Sequence, residues 1–263
     1  MPTPIEILMD PVSLTVVAIY AAMIAWEALA PARPLPAVRG WKLRGLAAFT
    51  AYFFISAYVP LLLAAPLARL QLLDLSFLGR WGGVAAGILA YEVIAYVWHR
   101  SMHASDFLWR TVHQMHHSAE RLDTWSAFWF SPLDMIGWTL AFAVPMTVTG
   151  ISPAAVTTTV YVVTLFGIFQ HANIRTPRWL GYLVQRPESH SRHHARGIHN
   201  GNFADLPILD MLLGTFHNPG SFFETGFYDG ASSRVSEMLA FRDVSQPEHH
   251  PIAAEASEVG RAA

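Results

Sequence analysis

The sequence predicts an all-α fold: a polytopic membrane helix bundle of about four to five spans or half-spans, closed on the cytoplasmic side by a helical cap that gathers histidines. Three observations predict it. The 263 residues are 53% hydrophobic and 14% charged, whereas soluble domains carry about 25% charged residues. Several apolar runs approach the roughly 20 residues needed to cross a hydrocarbon core. Thirteen histidines stand in a chain without a single cysteine. The lack of cysteine removes disulfides, iron–sulfur clusters, cysteine-type zinc sites and thiol catalysis. The 17 basic residues are scattered and the net charge is −2, so nucleic acid is excluded as a partner for want of a basic footprint.

The elements follow in order. The N-terminus carries Glu6 and Asp10 but no basic residue, unlike a signal peptide, so the run from Pro11 to Ala30 is expected to remain as a first span. Glu27 sits near its end. A second run from Gly45 to about Ala68 contains Pro60 and Pro66, which predict a kinked or broken span because proline removes a helical N–H. The third, Trp81 to Trp98, is bounded by interfacial tryptophans and runs on into His99 without a stop, so its helix is expected to continue into water. Residues 132–149 and 154–170 read as a hairpin about the turn Gly150-Ile151-Ser152-Pro153. At 18 and 17 residues its arms reach about 26 Å each, short of a core of about 30 Å, so the hairpin is expected to dip in rather than cross.

Arg33, Arg39, Lys42 and Arg44 between spans one and two, and Arg100, Arg110 and Arg121 after span three, place both segments in the cytoplasm. Arginine far outnumbers lysine, whose one copy is Lys42. That usage suits a GC-rich bacterial genome and hence an inner-membrane location. From about Asn173 the chain turns polar and caps the cytoplasmic helix ends. A single domain is expected over 1–242, with a disordered tail over 243–263.

Three histidine clusters carry the chemistry: His99 with His103, His113 with His116 and His117, and His190 with His193 and His194. Residues three and four apart share a helix face, so each cluster presents its imidazoles in one direction. Eight nitrogen donors exceed what one ion can take with a position left open, which makes two metals the economical reading, and imidazole suits iron, zinc, copper and nickel. All three clusters lie at the same end of the spans and can converge there. His171, at the end of the hairpin's second arm, is the ninth candidate at that level. His217, His249 and His250 read as interfacial or hydrogen-bonded residues. Glu92, seven residues before His99 on the same face, is either a carboxylate that fixes a ligand's tautomer or a polar partner within the bundle. The chain has no His-Glu-x-x-His and no Glu-x-x-His, which excludes zincin proteases and carboxylate-rich di-iron bundles.

The boxes H-x3-H, H-x2-HH and H-x2-HH, in that order, resemble the fatty acid hydroxylase and sterol desaturase superfamily of membrane enzymes. Tyr96-Val97-Trp98-His99-Arg100 is similar to its approach to the first box. Asn202-Phe203-Ala204-Asp205 and Leu209-Asp210-Met211-Leu212-Leu213-Gly214-Thr215-Phe216 are similar to its NYG and WD-x-LFGT segments. The similarity covers about 80–242. It implies two non-haem irons held by the box histidines and His171, O2 as co-substrate, and oxidation of an unactivated C–H bond in a lipid. Some relatives have a further histidine where Arg175 stands, leaving His199, or a water held by Asn202, as the tenth ligand. Trp129 and Ser131 precede Pro132 where the pattern has Arg-x-His-Pro, a departure that bears on the substrate cavity.

The expected function is therefore hydroxylation of a membrane lipid: an acyl chain, sphingolipid, sterol or carotenoid. A desaturase using the same site is the alternative, and a non-catalytic metal-binding or transport protein the third reading. With no Gly-x-Gly-x-x-Gly fingerprint and no cysteine, electrons must come from an external donor, a reductase with a ferredoxin or cytochrome b5-like protein.

Overall fold

Proline and polar caps set the helix starts. In the computed structural model, which describes residues 1–247, α1 (Pro4–Met9) is capped by Thr3 and α2 (Pro11–Leu29) by Asp10. The next helices are α3 (Trp41–Leu62), the short α4 (Ala64–Ala68) and α5 (Gly79–Ala104), the longest of the described helices. A compound segment follows: α6 (Asp106–Leu108), a π-turn over Trp109–His113 and α7 (Gln114–His117). Then come α8 (Pro132–Thr149) and α9 (Pro153–His171), and the short α10 (Pro187–His193), α11 (Ile208–Leu213) and α12 (Val235–Leu239) of the cap. Among the described residues there is no strand beyond an isolated bridge between Ala195 and Thr225. The fold is all-helical, as composition and periodicity predict.

Among the described residues four segments are long and apolar enough to cross a membrane: Pro11–Leu29, Trp41–Leu62, Ser76–Ala104 and Pro153–His171. The second span breaks at Leu63 rather than at its internal proline Pro60. Pro66 has no N–H to offer the Leu62 carbonyl, so the ladder fails one turn before it. One expectation is corrected. The hairpin's second arm takes in Pro153 as its first residue and runs to His171, and its 19 residues are enough to cross. At the end of α5 one face is covered, with His99 5% exposed and Met102 fully buried beneath the loop after α10, while Arg100 and Ala104 are exposed. The first arm, α8, opens on a Ser131 cap and closes at Gly150, whose φ of 58° supplies the left-handed residue that ends a helix.

Helix α5 packs between α8 and α9, and α3 packs against α8. Tyr20 of α2 stacks on Phe49 of α3 at 4.2 Å between ring centroids, and Phe128 seals both. Glu27 ends α2 by accepting from the backbone N–H groups of Thr124 and Asn173, which ties the first span to the segment after the second box and to the end of α9. Gly45 lies where α3 meets the Trp125 carbonyl, and a Cβ there would overlap that backbone. Gly45→Ala is therefore expected to destabilise the bundle by about 1–3 kcal/mol, the usual cost of overpacking. Thermal unfolding in detergent reads this as a lowered Tm.

The folded chain passes the expected boundary at 242, since Val244 is fully buried and its N–H donates to Gln114. Residues 248–263, which include most of the expected tail together with His249 and His250, lie outside the described residues.

Candidate metal centre

The nine histidines singled out by spacing and position converge in two groups. His99, His103, His113, His117 and His193 form one, and His116, His171, His190 and His194 the other, with the donor atoms of each group within 4.8 Å of one another. The partition follows helical geometry. Each i, i+4 pair (99 and 103, 113 and 117, 190 and 194) goes to one group, while the residue at i+3 of the second and third boxes faces the other. The π-turn before α7 widens the backbone at the second box, and the Gln114 N–H reaches back to the Trp109 carbonyl. The groups abut: His117 and His194 stack at 4.1 Å.

Hydrogen bonds orient the rings. His99 Nδ1–H donates to the Phe203 carbonyl (2.9 Å), His171 to Gly167 (2.7 Å) and His193 to Gly201 (2.7 Å). His113 Nδ1–H donates to the Asp134 carboxylate at 2.8 Å, both side chains being fully buried. With Nδ1 so occupied, Nε2 carries the lone pair a metal needs. The Nε2 atoms of His99, His103 and His193 are buried without any partner. In the second group, His171 Nε2 lies 3.1 Å from His116 Nε2 and 3.0 Å from His190 Nε2, which is itself 3.0 Å from His194 Nε2. One proton cannot satisfy several such contacts at once. A cation can, since neighbouring corners around an ion with bonds of about 2.1 Å are about 3.0 Å apart in an octahedral shell. The residues present fit a metal in each group, and five or four donors leave corners of a six-cornered shell free.

His199 joins neither group. It adopts a φ of 40° and shares a hydrogen bond between its Nδ1 and that of His117 at 3.0 Å, so it positions His117 from behind. Asn202, at a φ of 56°, spends its amide on the loop: Nδ2–H donates to the Ser189 and His217 carbonyls, and Oδ1 accepts from the His217 N–H. Glu92 reaches the loop rather than a histidine, accepting from the Leu206 N–H at 3.1 Å. His217 is half-buried and outside both groups.

Sequence reasoning missed three acids. Asp134 orients His113. Asp210 accepts from the Phe203 and Ala204 N–H groups and so places the carbonyl that holds His99. Asp205 accepts from Gln170 beside the second group, and burial pushes its carboxyl up to about 7. For Asp134 the available signal was Ser131-x-x-Asp134, a helix-start pattern that marks the position but not the His113 contact.

An apolar cavity of about 770 Å³ runs from His99, His116, His171 and His190 down between the helices, past Phe53, Phe142 and Val156. The profile of the fatty acid hydroxylase family matches residues 84–215, from the first turns of α5 to the loop after α11. The chain belongs to this family. It is also 34% identical over 142 residues to the ornithine lipid hydroxylase OlsE of Rhizobium tropici, covering 52% of this chain and 42% of that protein. The chain thus matches less than half the length of that relative. No solved structure matches it. In this family member both histidine groups and the upper cavity fall inside the matched region.

Burial, followed by neighbouring imidazoles, holds His113, His116, His117, His190, His193 and His194 well below the ordinary 6.5, and burial holds His199 at about 4. Their neutral forms are favoured by folding, so the stability they contribute is complete above the unfolded value of about 6.5 and is lost as pH falls below it. Thermal unfolding of the metal-free protein should give a Tm that drops steadily from pH 6.5 towards 4. A Tm independent of pH in that window would contradict the burial of these rings.

Proposed function

We propose that this chain is an O2-dependent di-iron enzyme that hydroxylates a C–H bond of a membrane lipid. The observation that carries the reading is the convergence of nine imidazoles, eight buried and His103 half-buried, at one end of a long apolar cavity. Iron bound there would supply reduction of O2 and the oxidant for an unactivated C–H bond. The chain's own part is to hold the imidazoles neutral and correctly turned, and to keep water out: His113, His117, His190, His193 and His194 are 2% exposed or less. Val156 and His171 both border the cavity and are 15 residues apart on α9, a reach of about 22 Å at 1.5 Å per residue. At roughly 1.3 Å per methylene, from a C–C bond of about 1.5 Å, that depth suits an acyl chain of about 17 carbons.

The relative's name concerns an ornithine lipid, and an acylated aminolipid suits such a cavity. The basic segments Arg33 to Arg44 and Arg100 to Arg121 favour a cytoplasmic site in a bacterial inner membrane. A ferredoxin or cytochrome b5-like donor would bring electrons from that side.

The test is untargeted lipid mass spectrometry of cells expressing the wild type or His194→Ala, grown with iron and air. A lipid gaining one oxygen only with the wild type is the expected result. Loss of two hydrogens would replace hydroxylation by desaturation, and unchanged lipids in a host supplied with ornithine lipid and a ferredoxin system would overturn the reading.

A further inference from the structure

The cavity wall carries one acid that the histidine chemistry does not use. Asp205 is 8% exposed and borders the cavity. A rigid frame holds it. Its Oδ1 accepts from Gln170 Nε2 at 2.8 Å, Gln170 Oε1 accepts from Gln185 Nε2 at 2.7 Å, and the Gln185 backbone N–H donates back to the Asp205 carbonyl at 2.7 Å. Oδ2 has no hydrogen-bond partner. The Tyr91 hydroxyl approaches the same carboxyl and also lines the cavity. Glu92, the neighbouring acid, uses Oε2 on the Leu206 N–H and leaves Oε1 buried without a partner. Among the described residues no ion pair involves Asp205 or Glu92.

An unpartnered buried carboxylate oxygen is costly, whereas a hydrogen bond to it from a charged group is among the stronger ones available. The protein therefore holds a fixed acceptor on the cavity wall, with one oxygen outside the glutamine frame and within reach of a group entering the cavity. A carboxylate would be repelled there, and a plain hydrocarbon would leave the deficit in place.

We infer that Asp205 receives a hydrogen-bond-donating nitrogen, an ammonium or an amide N–H, of a lipid whose long acyl tail fills the cavity. This deepens the reading of the cavity as the lipid site and rests on it. It also sets which end of the lipid is oxidised. Gln170, the partner of Asp205, immediately precedes His171, and the Gln185 amide lies 2.9 Å from His190 Nδ1. A nitrogen anchored at Asp205 thus presents the C–H bonds beside the nitrogen to the histidines, while the far methyl end lies deep in the bundle.

The test uses the full chain, metal-free in detergent, with three probes of equal chain length: hexadecylamine, N-methylhexadecanamide and methyl hexadecanoate, an ester that matches the amide but lacks the N–H. Affinity is read by quenching of the cavity-lining Trp138. The wild type is expected to bind the amine and the amide about tenfold more tightly than the ester, the factor of one charge-assisted hydrogen bond. Asp205→Asn is expected to lose the preference for the amine and keep the ester affinity, which also reports that the variant folds. Equal affinity of the wild type for all three probes, or an undiminished preference for the amine in Asp205→Asn, overturns the assignment. Because no metal is present, this outcome is independent of the lipid-oxidation experiment, and either reading can fail while the other stands.

Discussion

His190→Ala is expected to strip the metal from the four-histidine group, leave the five-histidine group loaded and abolish lipid oxidation. His190 Nε2 lies 3.0 Å from both His171 Nε2 and His194 Nε2, so its removal takes out the donor at the middle of the set. His103→Ala, in the other group, is expected to do the converse. Metal analysis of the purified variants should give about one ion per chain in each, against about two in the wild type. Combining the two substitutions should leave none. Activity is expected to fall by more than about 100-fold in either single variant, beyond the 10- to 100-fold typical of losing a residue that only orients a ligand. A chain that kept both ions and its activity after His190→Ala would remove the histidine partition described above.

Asp134→Ala is the second large effect. It leaves the His113 Nδ1–H without its acceptor in a place where both side chains are fully buried. The unsatisfied donor alone should cost about 1–3 kcal/mol of stability, and the freed ring should cost about 10- to 100-fold in metal affinity. Asp134→Asn separates the two contributions. Its carbonyl oxygen can still accept the hydrogen bond, so the Tm should largely recover. It brings no negative charge to raise the basicity of the imidazole, so metal affinity should stay low. Recovery of both properties with asparagine would reduce Asp134 to packing.

Much of this was legible in the residues. Composition and apolar run length pointed to the bundle, and the helix starts near Pro11, Trp81 and Pro153 were anticipated to within a few residues. The break near Pro60 and Pro66 was foreseen, and it falls at Leu63 because a proline disturbs the turn that precedes it. The hairpin's second arm was underestimated: Pro153 serves as the first helical residue and extends the helix by one. The cover over His99 was not foreseen, since nothing local to it announces that a loop more than a hundred residues later will lie there.

The sequence by itself determined the donors. Spacings of three and four put eight imidazoles on helix faces, and the position of His171 at the end of a span put a ninth at the same level. Which histidines share a group, and what turns each ring, only the tertiary structure decided. Three of the oriented rings donate to the backbone carbonyls of Phe203, Gly167 and Gly201. A carbonyl is present at every residue and leaves no mark in the amino-acid sequence, so the loop that brings Phe203 and Gly201 to their histidines becomes visible only when the chain is folded. The same reason hid Asp205, an unremarkable acid in a loop until its frame of glutamines and the apolar cavity gave one oxygen nothing to bind.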